Sequence, residues 1–286
     1  MTPRFNPTSA APIIELALRE DIGKIDVTSA LLSPHSYSVA EIIAREEGVI
    51  AGLPVIKEVF RRITKKITVD IKIKEGAKVK KGCRIALIKG ATGSILTGER
   101  TALNILSIMS GIATITSQYV SAVKGTSAKV YDTRKTVPGF RYLSKYAVKI
   151  GGGQNHRMGL YDMVLIKDNH IAASGITSAI KEARRRFSKL PVMVETENWK
   201  QFLEALNAKP DFILLDNMSP AEMKQAAAEA KKLGKKRPLL EASGGITIKS
   251  LREVAKSGVD RISVGAITHS YKNMDLAMEI VSSNGR

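Results

Sequence analysis

The 286-residue sequence predicts an α/β protein, an incomplete parallel barrel preceded by a small α+β domain. Three observations carry this. From residue 128 onward, six short apolar segments alternate with stretches of helical periodicity, the pattern of repeated βα units and a parallel sheet. Each segment ends in polar residues, which places reactive groups beyond the carboxyl ends of the strands, where parallel barrels gather their chemistry. No Gly-x-Gly-x-x-Gly follows an early strand, which disfavours a doubly wound sheet with a single ligand crevice.

The N-terminal part reads differently. Residues 13–20 carry apolar positions at helical spacing, with Gly23 as terminator, and Asp26 opens a turn or short helix. Strands are expected at 39–44 and, from the alternation of Ile67, Val69, Ile71 and Ile73, at 67–73. The intervening helix, 53–63, accommodates Pro54 in its first turn. Residues 75–90 form a strand–turn–strand pattern superficially similar to half of a biotinyl or lipoyl carrier. No Met-Lys-Met or Asp-Lys-Ala occurs, so it reads as part of a small sheet. Thr97 is expected to cap the longest helix, which runs to about Ala122, with Arg100 near its start and Gly111 permitting close packing.

In the barrel, the apolar segments lead into Asp132-Thr-Arg-Lys-Thr, Lys167-Asp-Asn-His, Glu195-Thr-Glu, Asp216-Asn, Ser243-Gly-Gly and Gly265-Ala-Ile-Thr-His. Helices fit at 142–150, 174–187, 198–208, 219–233 and 247–257. A last helix within 271–286 is expected to pack back on the N-terminal domain. The domain boundaries are set at 1–115 and 116–270.

Lys plus Arg outnumber Asp plus Glu by 45 to 27, a net charge of +18 that points to an anionic partner. Aromatic residues make up only 5%, so no stacking platform is interleaved with the charge and nucleic acid is not the expected ligand. No apolar run approaches the roughly 20 residues of a membrane span, and residues 1–12 show no charged start followed by an apolar core. Cys83 is the single cysteine, which excludes an intramolecular disulfide and a cysteine-built zinc site. A reducing cytoplasm is the expected compartment, without membrane association.

The strand ends narrow the chemistry. Glu195 and Asp216 end consecutive strands and suit either a glycosidase pair or the binding of Mg²⁺ and sugar hydroxyls. Five basic groups, Arg134, Lys135, His156, Arg157 and Lys167, decide between these, because a neutral glycoside does not need them. A substrate with carboxylates and phosphates does, and Arg grips carboxylate bidentately where Lys is a point charge. Ser243-Gly-Gly and Val264-Gly-Ala let backbone N–H groups approach an anion, in the loops after the last two strands where barrels commonly bind phosphate. Group transfer between polyanions follows.

Several longer motifs resemble the quinolinate phosphoribosyltransferase family: Leu96-Thr-Gly-Glu-Arg-Thr-Ala-Leu-Asn, Asp132-Thr-Arg-Lys-Thr-Val-Pro-Gly-Phe-Arg, Gly151-Gly-Gly-Gln-Asn-His-Arg-Met-Gly-Leu, Leu165-Ile-Lys-Asp-Asn-His, Leu215-Asp-Asn-Met, Glu241-Ala-Ser-Gly-Gly-Ile and Ser263-Val-Gly-Ala-Ile-Thr-His. The resemblance spans about residues 12–282. It implies an N-terminal α/β sandwich followed by an incomplete barrel. It also implies joining of quinolinate to phosphoribosyl pyrophosphate with Mg²⁺, giving nicotinate mononucleotide, pyrophosphate and CO₂ for NAD synthesis. It implies that Arg134 and Arg157 grip the quinolinate carboxylates beside His156, and that Arg100 arrives from the neighbouring subunit of a homodimer or a hexamer of dimers. Lys135 and Lys167 then lie between base and phosphoribosyl group, and Glu195 and Asp216 meet ribose hydroxyls and Mg²⁺-diphosphate. Thr133, Ser243, Gly244, Gly245, Val264, Gly265, Ala266 and His269 complete the substrate contacts. Thr196 leaves open whether Glu195 or Glu197 faces the ligand. The rivals are a paralogous pyrophosphorylase acting on another base, which would lack part of the paired-Arg pocket, and a basic nucleic-acid-binding protein, which would show steep salt dependence.

Overall fold

The computed structural model describes residues 3–284, which divide into two units. One runs to Ser117 and takes in Val137–Gly152 and the chain from Ser270 onward. The other holds Gln118–Thr136 and Gly153–His269.

Alternating burial builds the sheet of the first unit. Helix α1 (Pro7–Ile22) is capped by Asn6, whose side chain accepts from the Thr8 and Ser9 amides, and it stops at Gly23. Strand β1 (Tyr37–Ala44) turns Ala40, Ile42 and Ala44 into the core. After the short β2 (Gly48–Val49), helix α2 (Leu53–Ile63) buries Val55, Ile56, Val59 and Phe60. The Glu75 carboxylate caps α2, accepting from the Gly52 and Leu53 amides at 2.6 and 2.9 Å, although burial pushes its pKa up. Strands β3 (Thr68–Ile71), β4 (Lys78–Val79) and β5 (Arg84–Ala91) follow.

Helix α3 (Thr92–Ala122) continues directly from β5, five residues earlier than the expected cap at Thr97. The Thr92 hydroxyl lies 2.8 Å from that of Ser38, which ties the true helix start to β1. Thr97 sits within the helix, its hydroxyl shared between the Gly93 carbonyl and the Asp26 carboxylate, 2.9 Å from each. Arg100 is accordingly in the third turn. By length and composition α3 could cross a bilayer, which inspection of unbroken apolar runs does not reveal. Here Ile95, Leu106, Met109 and Ile112 are fully buried core residues.

The second unit is a six-stranded parallel sheet. Its elements are β6 (Lys129–Tyr131), β7 (Val164–Ile166), β8 (Val192–Thr196), β9 (Phe212–Asp216), β10 (Leu239–Ser243) and β11 (Arg261–Ser263). Between β6 and β7 the chain forms α4 (Arg141–Ile150), which belongs to the first unit. The remaining helices are α5 (Asp168–Ser174), α6 (Ile176–Arg186), α7 (Trp199–Ala208), α8 (Pro220–Lys231), α9 (Leu251–Lys256) and α10 (Ala266–His269). The expected helix over 174–187 starts two residues late, because Gly175, at φ 72°, breaks the path from α5. The helix expected over 247–257 shrinks to α9, since Thr247 and Ser250 first close a turn on each other.

The strand order β6-β11-β10-β9-β8-β7 is cyclic in sequence and open between β6 and β7. There a single parallel bridge joins Tyr131 to Gln154, with the Gln154 amide donating to Val130 and the Asp132 amide to Gln154. The incomplete parallel barrel is what the βα rhythm leads one to expect, and no closed barrel forms. Met163, Leu165, Met193, Phe212 and Leu214 pack together on one side of its interior.

The C-terminal segment is a correction. Instead of a helix within 271–286, residues Leu276–Asn284 form strand β12, pairing antiparallel with β1 along its whole length. Leu, Ala, Met and Glu favour helix locally, but the free edge of β1 supplies a ladder that overrides propensity. It completes the sheet β12-β1-β5-β3. The approach to β12 runs over α3 at Gly111, where an added Cβ would lie 2.2 Å from the Lys272 carbonyl oxygen. Nearby, the Met274 amide donates to the Ser107 carbonyl at 3.1 Å. Gly111→Ala is therefore expected to destabilise the protein by roughly 1–3 kcal/mol in urea unfolding. An unchanged midpoint would refute the close approach.

Candidate active site

Period-two alternation carries the site residues to one place. In β9, Phe212, Leu214 and Asp216 share a face, and in β10 Leu239, Glu241 and Ser243 share one. The parallel register sets Asp216 beside Ser243, Leu214 beside both Glu241 and Glu195, and Glu241 beside Arg261. The carboxyl ends of these strands surround a cavity of about 680 Å³. Its wall includes Thr133, Arg134, Lys135, His156, Arg157, Lys167, Glu195, Asp216, Ser243, Gly244, Gly245, Val264, Gly265, Ala266 and His269. Thus every expected site residue except Arg100 is on one cavity within the barrel unit.

Charge is divided across the cavity. Lys167 Nζ lies 2.5 Å from Glu195 Oε2, a half-exposed ammonium on a largely buried carboxylate. The Asp216 carboxylate accepts from Asn217 Nδ2 at 2.8 Å. Glu195 is buried at the end of β8 and lines the cavity. Glu197 lies past the end of β8 and is exposed, its amide donating to Gln201 Oε1, so of the two glutamates it is Glu195 that lines the cavity.

The two arginines also line the cavity. Arg157 is buried, and one guanidinium nitrogen donates to the Met163 carbonyl at 3.2 Å. Burial, and then the charge of Arg134, lower its pKa, with Asp162 acting in the opposite direction. Arg134 Nε is buried without a hydrogen-bond partner. Two guanidinium groups held close in a partly desolvated wall are a ready site for a ligand with adjacent carboxylates. Backbone contacts hold this wall: the His156 amide donates to Asp132 Oδ1 at 2.8 Å, and the Asp162 carboxylate accepts from the Met158 and Gly159 amides.

The glycine loop after β10 has a structural requirement of its own. Gly244 has φ 94°, and a Cβ there would fall 2.1 Å from Asn217 Oδ1. Gly245 has φ 56°. Because α9 starts only at Leu251, any anion affinity of this loop comes from its backbone rather than from a helix N-terminus.

Sequence reasoning assigned no role to Glu241, Arg261 or Asn217. Glu241 is fully buried, ion-paired to Arg261 Nε at 2.8 Å and 3.3 Å from His156 Nε2, and it accepts from the Ser263 hydroxyl. These donors outweigh its desolvation and hold its pKa below the usual carboxylate range. The available signal was alternation: Glu241 shares a face with Ser243, and Arg261 with Ser263.

Comparison with known proteins agrees with this geometry. Residues 26–110 match the quinolinate phosphoribosyl transferase N-terminal domain and residues 112–279 its C-terminal domain. The chain is 43% identical over 267 residues to a probable nicotinate-nucleotide pyrophosphorylase [carboxylating] of Bacillus subtilis, covering 93% of this chain and 91% of that protein. It is 38% identical to a quinolinate phosphoribosyltransferase [decarboxylating] of Nicotiana glauca, covering 94% of this chain and 81% of the plant protein. Among solved structures, the nicotinate-nucleotide pyrophosphorylase of Francisella tularensis superposes with a TM-score of 0.91 at 38% identity, covering 97% of this chain and 98% of that one. Two domains matched end to end, on a barrel with this cavity, lead to one conclusion: the chain belongs to the quinolinate phosphoribosyltransferase family.

Proposed function

We propose that this chain transfers a phosphoribosyl group from phosphoribosyl pyrophosphate to the ring nitrogen of quinolinate, releasing pyrophosphate and CO₂ and forming nicotinate mononucleotide for NAD biosynthesis. The observation that carries the proposal is the Arg134–Arg157 pair, two neighbouring guanidinium groups in the wall of the cavity that also holds Glu195 and Asp216. Adjacent carboxylates on a planar ring match the arginine pair, and the acids across the cavity suit the ribose.

The reaction follows from these positions. As the C1–diphosphate bond breaks, positive charge develops on the ribose, and Glu195 and Asp216 supply preorganised negative charge to it. The pyridine nitrogen forms the new bond to C1. The quaternised ring then accepts the electron pair left when the carboxylate at carbon 2 departs as CO₂, and that carbon takes up a proton. Lys135 and Lys167 stabilise the charge passing between base and diphosphate, while the loops at Ser243–Gly245 and Val264–Ala266 cradle a phosphate. Thr133 and His269 complete the wall.

Among the described residues no cluster of three or more potential ligands forms a metal cage. This fits Mg²⁺, which keeps several waters and is commonly held by one or two carboxylates together with substrate phosphates. Glu195 and Asp216 would hold it with the diphosphate, and the bound ion would neutralise charge on the leaving group.

Arg100 has a 63% exposed side chain, with Glu99 Oε1 at 4.0 Å. We assign it to the site of a neighbouring subunit in a homodimer or hexamer of dimers. The cytoplasm is the proposed compartment. The direct test is CO₂ release from quinolinate, expected only when both phosphoribosyl pyrophosphate and Mg²⁺ are present. Release without the ribose donor, or none with all components, would refute the assignment.

Arg157→Lys keeps the charge and loses the bidentate grip, so calorimetry should show quinolinate binding weakened by roughly 1–3 kcal/mol. Unaltered binding would remove Arg157 from the carboxylate site. Mixing inactive Arg100→Ala with inactive Lys167→Ala subunits, after dissociation and reassociation, should restore roughly a quarter of wild-type activity, since about half the dimers are mixed and each of those has one intact site. Mixtures as inactive as the parents would rule out the shared site.

A further inference from the structure

His156 lines the cavity, yet both of its ring nitrogens are engaged within the protein. Its Nδ1 accepts the backbone N–H of Arg157 at 2.7 Å and therefore carries no proton. The proton is on Nε2, 3.3 Å from Glu241 Oε1. The other carboxylate oxygen of Glu241 meets Arg261 Nε at 2.8 Å. The Arg261 guanidinium lies over the rings of Tyr131 and Phe212, 3.9 and 4.5 Å from their centroids. A chain of contacts thus runs from a rigid group inside the barrel, through an imidazole, to the backbone of Arg157.

We propose that Glu241 is a positioning residue for Arg157, acting through His156. The carboxylate selects the Nε2–H tautomer, and that tautomer leaves Nδ1 as the acceptor which fixes the Arg157 backbone. With the proton on Nδ1, two N–H groups would point at each other and the backbone at Arg157 would have to turn. A bidentate grip on a carboxylate tolerates little displacement of the guanidinium. Burying a carboxylate this deeply is costly, and apolar residues of similar volume often replace such pairs without loss of stability. Its presence is accounted for by the geometry it imposes. The inference rests on the reading of Arg157 as the partner of a substrate carboxylate.

Glu241→Gln tests it. The amide oxygen turns to the Arg261 cation, which leaves the amide NH₂ facing His156 Nε2 and reverses the tautomer preference. In case a stranded Arg261 prevents folding, the double variant Glu241→Leu/Arg261→Met removes the pair together. Imidazole ¹⁵N shifts near neutral pH, assigned through His156→Gln, should show Nε2–H in the wild type and its loss or mixing in the variants. The Arg157 amide should lose protection from hydrogen exchange. The KM for quinolinate should rise about tenfold or more, with kcat and the KM for phosphoribosyl pyrophosphate changing less than about threefold.

A wild-type ring protonated on Nδ1, or an Arg157 amide equally protected in the variants, would overturn the proposal. So would an unchanged quinolinate KM, or a parallel rise in both KM values, which would mark general loosening of the barrel. Should the wild type fail to turn over quinolinate, the functional reading falls alone, and the tautomer and amide measurements still decide this one.

Discussion

A carboxylate with no exposure to water, Glu241, is the constraint on which the barrel's polar half depends. Taking such a charge out of water costs several kcal/mol unless partners surround it. Here the partners come from neighbouring elements: Arg261 and Ser263 from β11, and His156 from the segment that bridges to β6. The ladder hydrogen bonds alone would leave the β6–β7 opening weakly specified, since one isolated bridge holds it. The buried charges of Glu241 and Arg261 add attraction there, and Arg261 over Tyr131 ties β11 to β6 as well.

The part of the interior that meets this cluster where Arg261 lies over Phe212 is apolar. Met163, Leu165, Met193, Phe212 and Leu214 fill it with apolar volume and leave charge only at the strand ends. Lys167 and Glu195 can then pair at 2.5 Å near the mouth, where solvent moderates the cost of charge. The acids of the cavity carry their own donors, while Arg157 stands among Arg134 and Asp162 in a partly desolvated wall.

In the first unit, one close approach has a comparable effect. Gly111 allows the chain near Lys272 to rest on α3, so that the next residues reach the edge of β1 and extend the sheet. A helix in that place would have left β1 as an unpaired edge of eight residues.

The periodicities determined much of this. Six apolar segments followed by polar clusters specify a parallel βα array, because side chains on a strand alternate and reactive groups collect at its carboxyl end. The same rule brought Arg134, Lys135, Lys167, Glu195, Asp216 and the glycine loop onto one cavity. Local propensity failed where a distant partner decided the outcome: Leu276–Asn284 became a strand against β1, and Thr97 was absorbed into a helix anchored at Thr92. Alternation puts Glu241 on the face of Ser243 and Arg261 on that of Ser263, but a charged residue in a short strand carries no sign of whether it faces water or a buried counterion. Only the packed barrel, by removing water from both and leaving each as the other's partner, decided that they belong to the site.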